Sequence, residues 1–129
     1  MSDKAKLSLE IITPDGTVLH ETDVDEVVFR RMEANFEEGS EVAVFPGHSP
    51  MLARVPINAI RYRDHGRERY VALAGGFIEV KNNRVRIVTA DCEVADPDDP
   101  DSAERAGRRA EEWRGVKRDA REALVGYRR

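Results

Sequence analysis

Six residues, Asp96-Pro97-Asp98-Asp99-Pro100-Asp101, set the tightest limit on how this chain folds. Proline lacks an amide hydrogen and fixes φ, so two prolines among four aspartates fit neither a central strand nor a helix interior. The run is a linker, and the grammar of the sequence changes across it. Before it, apolar residues alternate with polar ones at period two. Beyond it, they recur at steps of three and four. The expected organisation is a β domain over 1–95, the linker over 96–101 and a helical region over 102–129.

In the β part, Leu7, Leu9 and Ile11 point one way and Ser8 and Glu10 the other. Pro14-Asp15-Gly16 is a turn signal, so Thr17 to Glu21 reads as the return strand of a hairpin. Val24 to Phe29, Val42 to Phe45, Ile57 to Arg63, Arg69 to Ala74, Phe77 to Val80 and Val85 to Val88 read as further strands. Eight to ten short strands at this spacing predict a mainly β fold, a sandwich or a flattened barrel. In the last part, Ala103, Ala106, Ala110, Trp113, Ala120, Leu124 and Tyr127 form a narrow apolar stripe, with Lys117 breaking the seam. Asp101 or Ser102 caps the helix, and Gly115 either kinks it or divides it into a short hairpin.

Composition excludes several functions. The single cysteine, Cys92, rules out an internal disulfide framework and any multi-cysteine metal site. Three separated histidines argue against a histidine metal centre, so no metal and no cofactor is expected. No run of 18 apolar residues is present, so no membrane span is expected. The start at Met1-Ser2-Asp3-Lys4 leads straight into alternation, which argues against secretion. The net charge of -4 hides an asymmetry. Residues 1–101 carry 20 acidic and 12 basic side chains, and residues 102–129 carry 5 and 9. The body therefore offers no basic face for nucleic acid, whereas the tail suits an acidic partner, a nucleotide or an anionic surface. A plain solvated helix rich in arginine accounts for the tail equally well.

Several motifs carry a family likeness. Val44-Phe45-Pro46-Gly47-His48-Ser49-Pro50-Met51-Leu52 and Ala74-Gly75-Gly76-Phe77-Ile78-Glu79-Val80 are the most telling. Arg84-Val85-Arg86-Ile87-Val88-Thr89-Ala90-Asp91 follows, and Ile12-Thr13-Pro14-Asp15-Gly16 and Val24-Asp25-Glu26-Val27-Val28 precede them. In this order and spacing, over residues 7–92, the chain resembles the epsilon subunit of F-type ATP synthases. The resemblance implies a β-sandwich followed by an α-helical hairpin. It also implies a noncatalytic rotor part that docks on the gamma subunit and sits on the ring of c subunits. Such a chain helps couple ion flow to ATP synthesis or hydrolysis at the beta subunits, peripheral on the cytoplasmic face of the cell membrane. In some relatives the C-terminal helices extend along gamma and inhibit hydrolysis, or bind ATP when folded back.

Three departures stand out. The segment Arg30 to Ser40 is longer than the family's usual loop, and family placement turns it toward the c ring, with Met32 and Phe36 as apolar anchors and Glu41 beside them. The helical region is short for two helices. The nucleotide-associated motif, aliphatic-Asp-x-x-Arg-Ala, keeps Arg105-Ala106 but has Ser102 at the Asp position and Asp101 at the aliphatic one. These departures resemble the divergent second type of F-ATPase.

Individual residues carry two readings each. Pro46, Gly47, His48 and Pro50 form either a rigid turn or, by the resemblance, a contact with gamma or the c ring. Gly75 and Gly76 permit a bulge or a close strand approach, and no Lys-Ser/Thr pair follows them as a phosphate loop requires. Asp25 and Glu26 are adjacent on a strand, so they face opposite ways and cannot share acid–base work. Asp91 and Glu93 beside Cys92 raise rather than lower a thiol pKa. Arg105 and Arg109 share a helix face and suit phosphate oxygens or the acidic face of the ATPase head, including the beta subunits. Equally, the spacing lets Arg108 pair with Glu104 and Glu112, and Arg118 with Glu122. Trp113 reads as the packing anchor of the helix. No coherent catalytic set can be assembled. A small-ligand-binding β-sandwich with a regulatory helical tail is the competing reading, and the shortage of aromatics does not favour it.

Overall fold

The computed structural model describes residues 5–33 and 38–127. Seven strands are present among them: β1 (Leu7–Thr13), β2 (Gly16–Met32), β3 (Glu38–Val44), β4 (Met51–Asp64), β5 (Arg67–Lys81), β6 (Arg84–Val88) and β7 (Cys92–Val94). One helix, α1 (Ser102–Tyr127), follows. The strands are fewer and longer than the eight to ten short ones the turn signals suggested. Thr17–Glu21 and Val24–Phe29 are parts of one 17-residue strand, and Arg69–Ala74 and Phe77–Val80 are parts of one 15-residue strand. Asp23 and the glycine pair bend these strands without ending them.

The sheet runs β1-β6-β5-β4-β2-β3, and β1 also pairs with β2. That extra pairing closes five strands into a barrel, with β3 extending from β2 and β7 from β5. Closure leaves the ring itself without an open edge. The β1–β6 pair is parallel and all other pairs are antiparallel.

The β4–β5 ladder keeps one register from Asp64↔Arg67 to Met51↔Val80, apart from a gap opposite Pro56. Proline cannot donate to the ladder, and Gly75 faces it. Here the inward-facing phase flips in both strands together. Ile60 and Tyr62 point inward beyond the gap, but Ala53 and Val55 do so before it; Val71 and Leu73 give way to Ile78 and Val80. Gly75 and Gly76 allow the flip with φ of +78° and +133°. The barrel interior is apolar and includes Leu7, Leu9, Ile11, Phe29, Ile60 and Tyr62, all at most 2% exposed. Burial of side chains of this size stabilises by about 1.5–3 kcal/mol each before entropy is charged against it.

The linker is held by its own aspartates. Asp98 N donates to Asp96 Oδ1 and Asp101 N to Asp99 Oδ1, each at 2.9 Å. The first helical bond runs from Arg105 N to the Asp101 carbonyl at 3.0 Å, which makes Asp101 the capping position. The helix is continuous through Gly115, so residues 102–127 are not divided into a hairpin. It packs on β4, β5 and β7. Ala106 and Ala110 are buried in this contact, and Ala72, which faces away from the barrel interior, is buried beneath it. Arg114 Nε donates to the Ile57 carbonyl at 2.8 Å, near the end of the docked stretch.

Candidate functional site

The Pro-Gly-His turn is built by local hydrogen bonds. His48 N donates to the Phe45 carbonyl at 3.1 Å, and His48 Nδ1 lies 2.7 Å from the Ser49 carbonyl, to which it donates as the Nδ1–H tautomer. Gly47, at φ +87°, donates its amide to Asn83 Oδ1 at 2.7 Å. Asn83 sits in the β5–β6 turn and its carbonyl accepts from Ser8 N. The motif therefore joins the β3–β4 connection to the β5–β6 turn, while Pro46 and His48 remain half-exposed and Pro50 exposed.

The other sequence candidates are distributed, not gathered. Glu41 on β3 accepts from Arg61 on β4 at 3.1 Å, and this carboxylate holds the Arg61 guanidinium above its usual pKa. Met32 is half-buried at the end of β2 and pairs with Glu38. Phe36 lies outside the described residues. Asp25 takes Lys6 as its partner and is held below the usual carboxylate range by it, while Glu26 pairs with Arg63 at 2.9 Å. Cys92 is half-buried, and burial first, then the Asp91 charge, pushes its thiol pKa up.

The helix and the linker enclose a cleft of about 500 Å³ whose lining includes Glu93, Asp96, Asp99, Arg105, Arg109 and Glu112. Arg108 also lines it, and two of its three arginines already have carboxylate partners. Arg105 pairs with Asp99. Arg109 reaches Glu93 at 3.3 Å and Glu112 at 2.9 Å, and the Glu112 hydrogen bond raises its pKa. The Arg109 guanidinium also lies 4.9 Å from the centre of the Trp113 ring, where cation–π attraction adds to the packing. Arg108 and Arg118 do not form the pairs with Glu104, Glu112 and Glu122 that the spacing offers. Arg109, turned toward the barrel, takes Glu112 instead.

One surface escaped the sequence reading. On the outer face of β4, β5 and β6, Leu52 is 72% exposed, Phe77 50% and Val88 52%. Phe77 pairs with Arg54 on one side and Val88 on the other, and Val88 with Ile12 beyond it. The Arg54 guanidinium stands 5.8 Å from the Phe77 ring centre. Beside this patch, Ile12, Pro14, Ala74, Gly75, Phe77 and Val88 line an apolar groove of about 450 Å³. The sequence signal existed, since Phe77 and Val88 occupy outward positions. The phase flip at Gly75-Gly76 concealed it, because a steady alternation from Val71 would turn Phe77 inward.

Among the described residues, no group of three or more His, Cys, Asp or Glu side chains could hold a metal ion. No helix among them is long and apolar enough to cross a membrane. A closed barrel with an exposed apolar patch, joined to an arginine-bearing helix, defines a protein whose working surfaces are built for contact with other chains.

Known proteins carry this further. The family model described as ATP synthase, Delta/Epsilon chain, beta-sandwich domain matches residues 6–95. The ATP synthase epsilon chain of Bacillus pumilus (strain SAFR-032) is 38% identical over 106 residues, covering 82% of this chain and 76% of that one. The epsilon chain of Bacillus thuringiensis (strain Al Hakam) is 38% identical over 104 residues, covering 81% and 73%. Two solved structures share the fold. A chain of the Euglena gracilis mitochondrial ATP synthase (OSCP/F1/c-ring) aligns with a TM-score of 0.60 at 18% identity, over 73% of this chain and 56% of that one. A chain of the Tetrahymena thermophila mitochondrial ATP synthase (central stalk/c-ring) gives 0.56 at 15% identity, over 90% and 93%. The chain belongs to the delta/epsilon family of ATP synthase chains. It is an epsilon-type, noncatalytic subunit of the F1 rotor stalk and not an enzyme by itself.

Proposed function

We propose that this chain docks on the gamma subunit through the outer face that carries Leu52, Phe77 and Val88, and that it rests on the c ring with the end of the β2–β3 hairpin. In that position it helps couple ion translocation to ATP synthesis or hydrolysis, peripheral on the cytoplasmic face of the membrane. The observation that supports this most is the patch itself. Leu52 at 72% and Phe77 at 50% exposure are large apolar side chains on the outer face, and a patch of this kind marks an interface. The Pro46-Gly47-His48 turn and Glu41 flank the docking surfaces, and Met32 and Phe36 serve the ring contact. The β domain over 1–95 is the docking unit, the 96–101 linker fixes the start of the helix, and the basic C-terminal region over 102–129 reaches toward the beta subunits.

Titration calorimetry of purified gamma with this chain tests the reading. Covering the exposed half of the Phe77 side chain is worth about 2 kcal/mol, or roughly thirtyfold in Kd. Phe77→Asp is therefore expected to weaken binding by at least that factor, with circular dichroism confirming an intact barrel. No binding between folded wild-type partners rejects the assignment.

A further inference from the structure

The β5–β6 hairpin closes through Asn82 and Asn83, between the paired Lys81 and Arg84. Both asparagines stand at positive φ, +50° and +60°, as a type I′ turn requires. At the second of these positions glycine serves such a turn at least as well as asparagine. The hairpin alone therefore has no need of the Asn83 side chain. Its use lies on the connection that joins β3 to β4.

That connection, residues 45–50, has little to hold it. Pro46 and Pro50 have no amide hydrogen to donate. The bonds from His48 N to the Phe45 carbonyl and from His48 Nδ1 to the Ser49 carbonyl close the turn on itself. A third bond crosses to the barrel: Gly47 N donates to Asn83 Oδ1 at 2.7 Å, over a sequence separation of 36 residues. Asn83 is itself anchored, since its carbonyl accepts from Ser8 N at 2.9 Å. Away from that bond the turn stands clear. A Cβ added at Gly47 meets nothing within 4 Å, Ser49 and Pro50 are exposed, and Phe45 is 48% exposed. The two prolines stiffen the backbone on either side, so one fastening at Gly47 sets the whole stretch. The stretch then runs directly into Met51 and Leu52, the start of the outer apolar face.

Resting on the docking on gamma proposed above, we infer that Asn83 is a positioning residue for that contact: its side-chain carbonyl holds the Phe45–Pro50 connection in the form that gamma meets, and Phe45 is the side chain it delivers. Phe45 joins the gamma-facing surface because the connection leads without a break into Leu52. The gain is in ordering. A stretch fixed before association loses less conformational freedom on binding than a free one.

The test uses the full chain and purified gamma. Asn83→Gly removes the acceptor but suits the positive φ, whereas Asn83→Asp keeps an acceptor oxygen in the same place. In the free chain, hydrogen exchange at the Gly47 amide, followed by nuclear magnetic resonance, is expected to be at least tenfold faster in Asn83→Gly and within threefold of wild type in Asn83→Asp. The urea midpoint of Asn83→Gly is expected to equal or exceed that of wild type. Calorimetry is expected to show gamma binding weakened about fivefold by Asn83→Gly, the scale of one hydrogen bond, and restored in Asn83→Asp. In a Phe45→Ala background Asn83→Gly is expected to change Kd less than twofold, and in a Val88→Ala background the fivefold loss is expected to persist. Wild-type affinity or unchanged Gly47 exchange in Asn83→Gly overturns the positioning role. So does a loss that Asn83→Asp does not restore, or one matched by a fall in urea midpoint. The full loss persisting in Phe45→Ala overturns Phe45 as the side chain delivered. Wild-type chain that fails to bind folded gamma overturns the docking reading together with this inference, whereas binding weakened by Phe77→Asp but not by Asn83→Gly overturns this inference alone.

Discussion

Replacing Gly76 with alanine probes the corner where β4 and β5 change phase. Gly76 has φ of +133°, and a Cβ added there stands 2.0 Å from the Val88 carbonyl oxygen, 3.0 Å from its carbon and 3.1 Å from Thr89 Cα. Non-bonded heavy atoms prefer about 3.5 Å or more. The end of β6 must therefore retreat by more than about 1 Å, and every obstructing atom is backbone, so no side chain can swing aside. Holding a non-glycine residue in this region costs about 1–3 kcal/mol, and overpacking costs about 1–3 kcal/mol more. Gly16 separates the two effects. It has φ of +117° with nothing within 4 Å of an added Cβ, so Gly16→Ala carries backbone strain alone, about 1–3 kcal/mol. Urea unfolding followed by far-ultraviolet circular dichroism is expected to show Gly76→Ala less stable than Gly16→Ala by about 2 kcal/mol, with equal m-values. Equal midpoints for the two variants would refute the close approach of β5 to β6 as the reason for glycine.

The buried phenol of Tyr62 gives a pH test: burial first, then the Glu21 charge, push its pKa up to about 12. An unfolded tyrosine ionises near 10, so this contribution to stability is complete below about pH 10 and is lost as pH rises toward 12. Spectrophotometric titration is expected to show one tyrosine ionising late, and Tyr62→Phe is expected to remove that part of the alkaline loss of stability. The arginine cleft is expected to bind ATP more weakly than about 1 mM, which corresponds to roughly 4 kcal/mol, because Asp99, Glu93 and Glu112 already occupy Arg105 and Arg109. Equilibrium dialysis with and without magnesium checks this, and micromolar one-to-one binding lost in Arg105→Ala would reverse the conclusion.

The alternation of Leu7, Leu9 and Ile11 and the Asp-Pro linker were enough to place a mainly β body before a helix, because both depend on local spacing. The barrel's closure was not legible. It rests on β1 pairing with both β2 and β6, and no local pattern encodes a partner so distant in sequence. Strand number was overcounted where a bend looked like an ending. Asp23 interrupts apolar alternation, yet β2 continues through it because its backbone keeps pairing with β1 and β4. The Gly75-Gly76 reading as a bulge or close approach was sound about the glycines but silent about their consequence, the reversal of inward and outward that exposes Phe77. On the helix, the spacing of Arg105, Arg109 and Trp113 put them on one face, and the Arg109 guanidinium does lie against the Trp113 ring. Which carboxylates they take depends on where the barrel places Glu93 and on the fold of the linker around Asp99.

The parallel pairing of β1 with β6 also sets a schedule. Each of its residue pairs, from Ser8↔Arg84 to Ile12↔Val88, is separated by 76 residues. The β1–β2 hairpin can form as soon as its tight turn has been made, since its contacts are local. The other side of β1 then waits for β6. At a synthesis rate of 5–20 residues per second, that wait lasts roughly 4–15 s. During it, a nascent chain presents the unpaired backbone of β1 and the apolar side of Leu7, Leu9 and Ile11 to whatever is nearby. Long-range strand pairing of this kind is slow to find even in a finished chain, because the ends of a long loop must meet before any contact rewards them. The ring that leaves the mature rotor subunit without an open edge is therefore the last part to close, and the nascent protein is most vulnerable to association with its own kind just before that closure.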